Sequence, residues 1–253
     1  MARKGKQRLR PAPIQSGAAR YRTYRRWRRW FKGIKDQIFT LHHHRRLYRD
    51  VTAMIGANPA LQVPSAFYTW MRTAYIYDMT MAVRRLVDRD RRTLSFYRLM
   101  DDIADHPEVM TRRRFTVRYR GWLQDAGNRD FERFASPAAN RIHRRVIRGH
   151  QRELVQAARR LKTYVDKHVA HNDRRAMRRL PTFDELDRCV DLLGELAREY
   201  TLLLEQAALT DIVPVIQHDW EAPFRIPWIS GRPLVQRDAA PPCGRGEAPR
   251  RAG

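Results

Sequence analysis

A chain of 253 residues is long enough for one large domain with a substantial core. Its 51 lysines and arginines against 27 acids give a formal charge of +24, which favours polyanions: nucleic acid first, an anionic membrane surface second. Two cysteines, Cys189 and Cys243, exclude a disulfide framework and a self-contained zinc set, and no apolar run approaches the roughly 18 residues that span a bilayer. The basic amino terminus lacks the apolar segment of a secretory signal, so a soluble, cytoplasmic protein is expected, without membrane partner, metal or cofactor.

In chain order, residues 1–19 carry Arg3, Lys4, Lys6, Arg8 and Arg10 with Pro11, Pro13 and no acid, the composition of a disordered basic tail. From about Arg20 the pattern turns helical. Trp27, Phe31, Ile34, Ile38, Leu41, Tyr48, Val51 and Ile55 recur at three- and four-residue steps until Gly56 and Pro59. Arg22, Arg25, Arg26, Arg28 and Arg29 surround Trp27 and Trp30, a mixture that can grip phosphates and stack on bases, or equally place aromatics in a core and arginines in water. His42, His43 and His44 are no metal site by themselves, because consecutive helical residues point about 100° apart.

Ser65 is the expected N-cap of a second helix, 65–88, whose apolar residues cover most of its circumference and so place it deep in a bundle. Asp78 is its lone mid-helix acid, expected as a buried partner for an Arg or His ahead of a simply exposed position. A short helix follows from about Ser95 to Ala104. Residues 108–135 carry no clear pattern. Ser136-Pro137 pairs an N-cap residue with an N1 proline and predicts a helix start. From there Ile142, Val146, Leu154, Ala157, Leu161, Tyr164 and His168 form the expected inward stripe. Arg141, Arg144, Arg145, Arg148 and Arg152, with Arg159, fall opposite and are the expected nucleic-acid face of the folded part.

Thr182-Phe183-Asp184-Glu185 reads as a capping box opening an amphipathic helix, with Leu186, Cys189, Val190, Leu193, Leu196, Ala197, Tyr200, Leu204 and Ala207 inward. Residues 184–221 hold ten acids against Arg188 and Arg198, a counterweight for the arginine helix. Pro214, Pro223, Pro227 and Pro233 then forbid a long helix, and residues 211–230 read as an extended strap before a disordered tail over 231–253.

The densest chemistry lies in Tyr164-Val165-Asp166-Lys167-His168-Val169-Ala170-His171-Asn172-Asp173, near a helix end. A His there can act as general acid or base near neutrality, or can simply sit where a helix dipole favours imidazolium.

Three segments, taken together, resemble the AbiU-type abortive-infection branch of the HEPN superfamily. They are the helix 65–88 with its Arg84-Arg85-Leu86-x-Asp88 end, the run Thr93-Leu94-Ser95-Phe96-Tyr97-Arg98-Leu99-Met100, and the stretch from Tyr164 to Asp173. The likeness covers roughly residues 30–210. It implies an all-α antiparallel helical bundle over 20–210, often dimeric. It also implies a role in phage defence or as a toxin, with RNA ahead of DNA as partner, a cognate antitoxin as a further one, and metal-independent ribonuclease chemistry. The family motif is an Arg, four to six residues, then a His, with a polar residue after the Arg. His171 matches the His and Asp166 the polar residue, but Val165, expected on the edge of the helix rather than at its inward centre, stands in the expected Arg place.

RNA cleavage by a 2′-hydroxyl needs proton transfer and a cation for the charge developing on the phosphate. In an active protein His171 would be the acid/base, Asp166 and Asp173 would orient it, and Lys167 would stabilise the phosphate. The missing Arg leaves two readings: a weak or degenerate ribonuclease, or a non-catalytic nucleic-acid-binding or protein-interaction module.

Overall fold

The computed structural model describes residues 16–169, 177 and 179–226. Most of the basic tail, Ala170 to Ala176, and everything from Pro227 onward lie outside the described residues, and with them His171, Asp173 and the carboxy-terminal tail. Seven α-helices follow one another among the described residues: α1 (Gly17–Ala57), α2 (Ala66–Leu86), α3 (Phe96–Asp105), α4 (Arg112–Thr116), α5 (Gln124–Glu132), α6 (Arg144–Tyr164) and α7 (Phe183–Glu205). The described residues form no sheet; a lone antiparallel bridge joins Thr111 to Arg141. Contacts divide the chain into residues 1–214 and residues 215–253. In the second unit, Arg225 pairs with Asp219 and Glu221 around a single 3-10 turn.

Capping chemistry explains where several helices begin. Ser65 accepts from the Phe67 amide, and Ser95 accepts from the Arg98 amide. Thr182 and Glu185 close a reciprocal capping box, with amide-to-oxygen distances of 3.2 and 3.0 Å. Such caps stabilise a helix by about 1 kcal/mol each.

Cross-helix pairs fix the directions. Tyr24 bonds the Leu204 carbonyl, Lys35 meets Glu205 and Arg45 meets Asp191, so α7 runs antiparallel to α1. Asp101 and Asp105 meet Arg148 and Arg144 respectively, so α6 runs antiparallel to α3. Tyr48 stacks face to face on Tyr75, with 3.9 Å between ring centroids, where α1 and α2 cross. The expected α1 stripe is buried from Trp27 to Leu41, and it meets Phe96 of α3 and Tyr200 of α7 in an aromatic centre. The fold is the expected all-α antiparallel bundle.

Three expectations are corrected by tertiary structure. The helix predicted from Ser136-Pro137 begins instead at Arg144, because the Ser136–Ala139 segment is a turn held from outside. The Arg112 guanidinium donates to the carbonyls of Ser136, Pro137 and Ala139, and the next residues lie extended against Met110 and Arg112. The inward stripe of α6 is accordingly Ile147, Gln151, Leu154, Ala158 and Leu161, continuing to Val165, one step out of phase with the expected positions at 146, 157 and 164. The second helix is not buried throughout. Only its carboxy-terminal half, from Met79 to Leu86, enters the core, whereas Phe67 and Trp70 are 50% and 64% exposed. Asp78 does find a histidine, His44 at 2.7 Å, but on the surface.

A candidate site at the end of α6

The last turn of α6 widens into a π-turn over Val165–Val169. One residue too many is fitted into a turn there, which re-aims the side chains that follow; such turns recur at functional sites. Val165 itself continues the buried stripe and is fully enclosed. This corrects its expected place on the helix edge: a periodicity counted from Arg144 rather than Ser136 puts it at the centre of the inward face.

Asp166, the next residue, is drawn into a four-membered ion cluster. Arg84 of α2 donates from Nε to Asp166 Oδ1 at 3.1 Å and from Nη1 to Asp88 Oδ2 at 2.7 Å. Lys162, one turn earlier on α6, holds the other Asp166 oxygen. Burial alone would raise both carboxyl pKa values. For Asp166 the hydrogen bonds from Lys162 and Arg84 outweigh it, and for Asp88 those from the Asp90 amide and Arg84, so both sit below the usual aspartate range. The cluster therefore stays ionised at neutral pH, two cations against two anions.

Lys167 and His168 occupy the middle of the π-turn and are half-buried. The His168 ring leans on Tyr164, 5.7 Å between centroids, and its Nε2 is enclosed without a hydrogen-bond partner among the described residues. His171 and Asp173 are outside the described residues, so of the four expected catalytic residues the structure locates Asp166 and Lys167. Arg84 and Asp88 figured in the sequence only as a motif end, not as site residues, and Lys162 was not singled out. Their two i, i+4 spacings, Arg84 to Asp88 and Lys162 to Asp166, were visible, but not that the pairs share one cluster. No group of three potential metal ligands converges among the described residues.

The expected arginine face does not form one stripe. Arg141 precedes the helix, in the extended bridge. Arg148 turns towards α3, where Asp101, Asp105 and Gln151 hold it, and Arg144 shares Asp105. Arg145 and Arg152 remain exposed. Arg141 and Arg145 lie at one end of α6 and Asp166 just past the other, a separation of about 30 Å over its 21 residues. The acids of α7 balance α1 as much as α6. Arg45 and Arg49 reach Asp187, Lys35 reaches Glu205, and from α6 Arg160 reaches Glu185.

His42, His43 and His44 point apart as helical geometry requires. His42 is buried against Val190, and His44 faces Asp78. Trp27 lies in the core with its indole N–H on Asp102, and is closed to any base. Cys189 is a buried free thiol whose pKa burial pushes up to about 12. No helix among the described residues is long and apolar enough to cross a membrane.

The described residues thus form an antiparallel all-α bundle with an ion cluster packed against the π-turn. Residues 24–222 match the AbiU2 family of HEPN domains, and the chain belongs to that family. Searches of curated proteins and of solved structures each returned no match.

Proposed function

We propose that this chain binds RNA in an abortive-infection response and retains at most weak, metal-independent cleavage. The observation that carries RNA binding is the formal charge of +24; what supports cleavage is that the Arg84, Asp88, Lys162 and Asp166 cluster sits beside the π-turn, which leads directly into the family histidine. In the cleaving form His171 moves the proton of the attacking 2′-hydroxyl, Asp166 and Asp173 orient it, and Lys167 faces the phosphate. Arg84 is a fixed guanidinium beside the empty motif position, but two carboxylates already share its charge. That neutralisation, with an enclosed valine in the Arg place, favours the second reading, a binding module without turnover. Incubating the purified protein with total RNA in EDTA, beside His171→Ala, decides between them. Fragments made by the first and not the second support cleavage; intact RNA in both leaves the binding module.

The chain acts, in this proposal, as a homodimer. The support is the outward face of α2, where Phe67, Trp70 and Tyr77 recur at helical spacing and remain exposed. Isolated apolar side chains are normal on a surface, but three exposed aromatics on one side of a helix, two of them in ring contact, suit a subunit contact. The carboxy-terminal end of the same helix is tied to the π-turn by Arg84 and Asp166.

A further inference from the structure

The ion pairs sort the arginines into two populations. Arg45, Arg84, Arg112, Arg148 and Arg160 each meet at least one carboxylate. Arg28, Arg113, Arg114 and Arg118 meet none within ion-pair distance among the described residues, and all four line one groove of about 500 Å³. The groove is bounded by the amino-terminal part of α1, by α4 with the residues just after it, and by Gln206 at the end of α7. None of its lining residues is acidic. Where this molecule keeps its cations for its own fold, it neutralises them; here four guanidinium groups are gathered and left without counter-charge.

Two tyrosines complete the site. Tyr24 is fixed: its hydroxyl donates to the Leu204 carbonyl at 2.8 Å, and the Arg114 guanidinium lies over its ring, 5.1 Å from the centroid. Tyr21, three residues earlier and so on the same helix face, is 55% exposed and offers an open ring. Arg118 donates to the Glu205 carbonyl, a bond that positions its guanidinium without cancelling the charge. Across Thr111, which lines both, a second concavity carries Arg141 and Arg145. The basic track thus joins α1 and α4 to the two α6-end arginines that have no carboxylate partner among the described residues.

We infer that this groove binds single-stranded nucleic acid, with Arg28, Arg113 and Arg118 on successive phosphates and a base stacked on Tyr21. Guanidinium groups fit phosphate oxygens in pairs, and an aromatic ring takes any unpaired base, so the combination favours a flexible single strand over a duplex whose bases are already stacked. The inference rests on the RNA-binding reading and relocates its main surface. The strand is gripped at the end of the bundle away from the π-turn, not along the length of α6.

Fluorescence anisotropy with the full chain tests it, using a labelled 12-nucleotide single-stranded RNA, the same sequence as DNA, and the RNA duplex. The triple variant Arg28→Ala, Arg113→Ala, Arg118→Ala is compared with Arg91→Ala, Arg188→Ala, Arg198→Ala, which removes the same charge from exposed positions after α2 and on α7. The groove triple should weaken RNA binding about tenfold or more and flatten the log–log salt slope by about 2, roughly 0.7 for each phosphate no longer neutralised. The control triple should change both far less. Tyr21→Ala should weaken binding about fivefold or more with the salt slope unchanged, because stacking releases no counterions. Comparable binding of the DNA strand supports a site that reads phosphate and base rather than sugar. Equal losses in both triples, no loss in the groove triple, or a duplex bound as tightly as the single strand overturns the groove while leaving RNA binding standing. A wild-type chain that binds no RNA overturns both.

Discussion

Arg84 Nε and Asp166 Oδ1, 82 positions apart in sequence, meet at 3.1 Å and tie α2 to the π-turn. Both side chains are about a third exposed, which limits the pair's contribution. A double-mutant cycle with Arg84→Gln and Asp166→Asn should give a coupling of about 0.5–1 kcal/mol in chemical denaturation. Asp166 has its pKa lowered in the fold, so this contribution is present above the ordinary aspartate value of about 4 and is lost as pH falls below it. Asp166→Asn should flatten the acid limb of stability relative to wild type. Coupling indistinguishable from zero would reduce the cluster to a surface coincidence.

Trp70, nearly two-thirds exposed on the outer face of α2, is the variant of choice for the proposed dimer. Light scattering on the wild-type chain should give twice the 30.1 kDa protomer mass, and Trp70→Glu should return the single mass. Truncating a central aromatic anchor typically weakens an interface by about 2 kcal/mol or more, enough to dissociate a micromolar dimer. A wild-type protein that runs as one protomer removes the idea directly.

Restoring the motif cation is not a simple gain of function. An Arg at position 165 would enter a fully enclosed site among the apolar residues of α6. Val165→Arg should lose about 3 kcal/mol or more of unfolding free energy, from disrupted packing and an unpaired buried charge. No increase in RNA cleavage is expected. A variant as stable as wild type that also cleaves RNA better would show that the segment after α6 turns to present the new side chain.

Much of the bundle was legible because its signals are local. Thr182 and Glu185 form their capping box from residues three apart, and the Trp27-to-Leu41 stripe follows from period alone. Ser136-Pro137 misled for the same reason. An N-cap residue before proline suits a turn as well as a helix, and Arg112, 24 residues upstream of Ser136, decided the matter by taking its carbonyl. The phase error that followed moved Val165 to the helix edge and left the arginines in a single stripe. The ion cluster was only half legible, since composition reveals charges but not which of them the fold pairs.

Gly194 of α7 offers a sharper test of close packing. A Cβ there would lie 2.8 Å from His42 Nε2 and 3.2 Å from Ile212 Cδ1. Gly194→Ala gains about 1 kcal/mol of helix propensity, yet overpacking costs about 1–3 kcal/mol, so a net loss of stability is expected. In a His42→Ala background the obstructing ring is gone, and the same substitution should become neutral or stabilising. If Gly194→Ala stabilises the wild-type chain, α1 and α7 are less tightly seated than the distances indicate.

His42 also makes stability depend on pH in a calculable direction. Its Nε2 lies 3.1 Å from the Val190 carbonyl, and its Nδ1 lies 3.2 Å from an Arg45 nitrogen that can only donate. The geometry therefore assigns the neutral ring with its proton on Nε2. Burial first, and Arg45 second, lower its pKa to about 4, against opposing contributions from the Val190 carbonyl and Asp191. A histidine whose folded pKa is depressed binds fewer protons folded than unfolded. Its share of stability is therefore intact above about pH 6.5 and is lost as pH falls towards the folded value. Between pH 7.5 and 5 the loss attributable to this one ring is about 2 kcal/mol, at 1.36 kcal/mol per unit over the interval below 6.5. His42→Gln keeps a donor and an acceptor but cannot titrate, so its stability should fall less over that range by about that amount. Chemical denaturation of both proteins at pH 7.5 and 5 measures the difference, and parallel losses would mean that burial does not lower the His42 pKa in the fold.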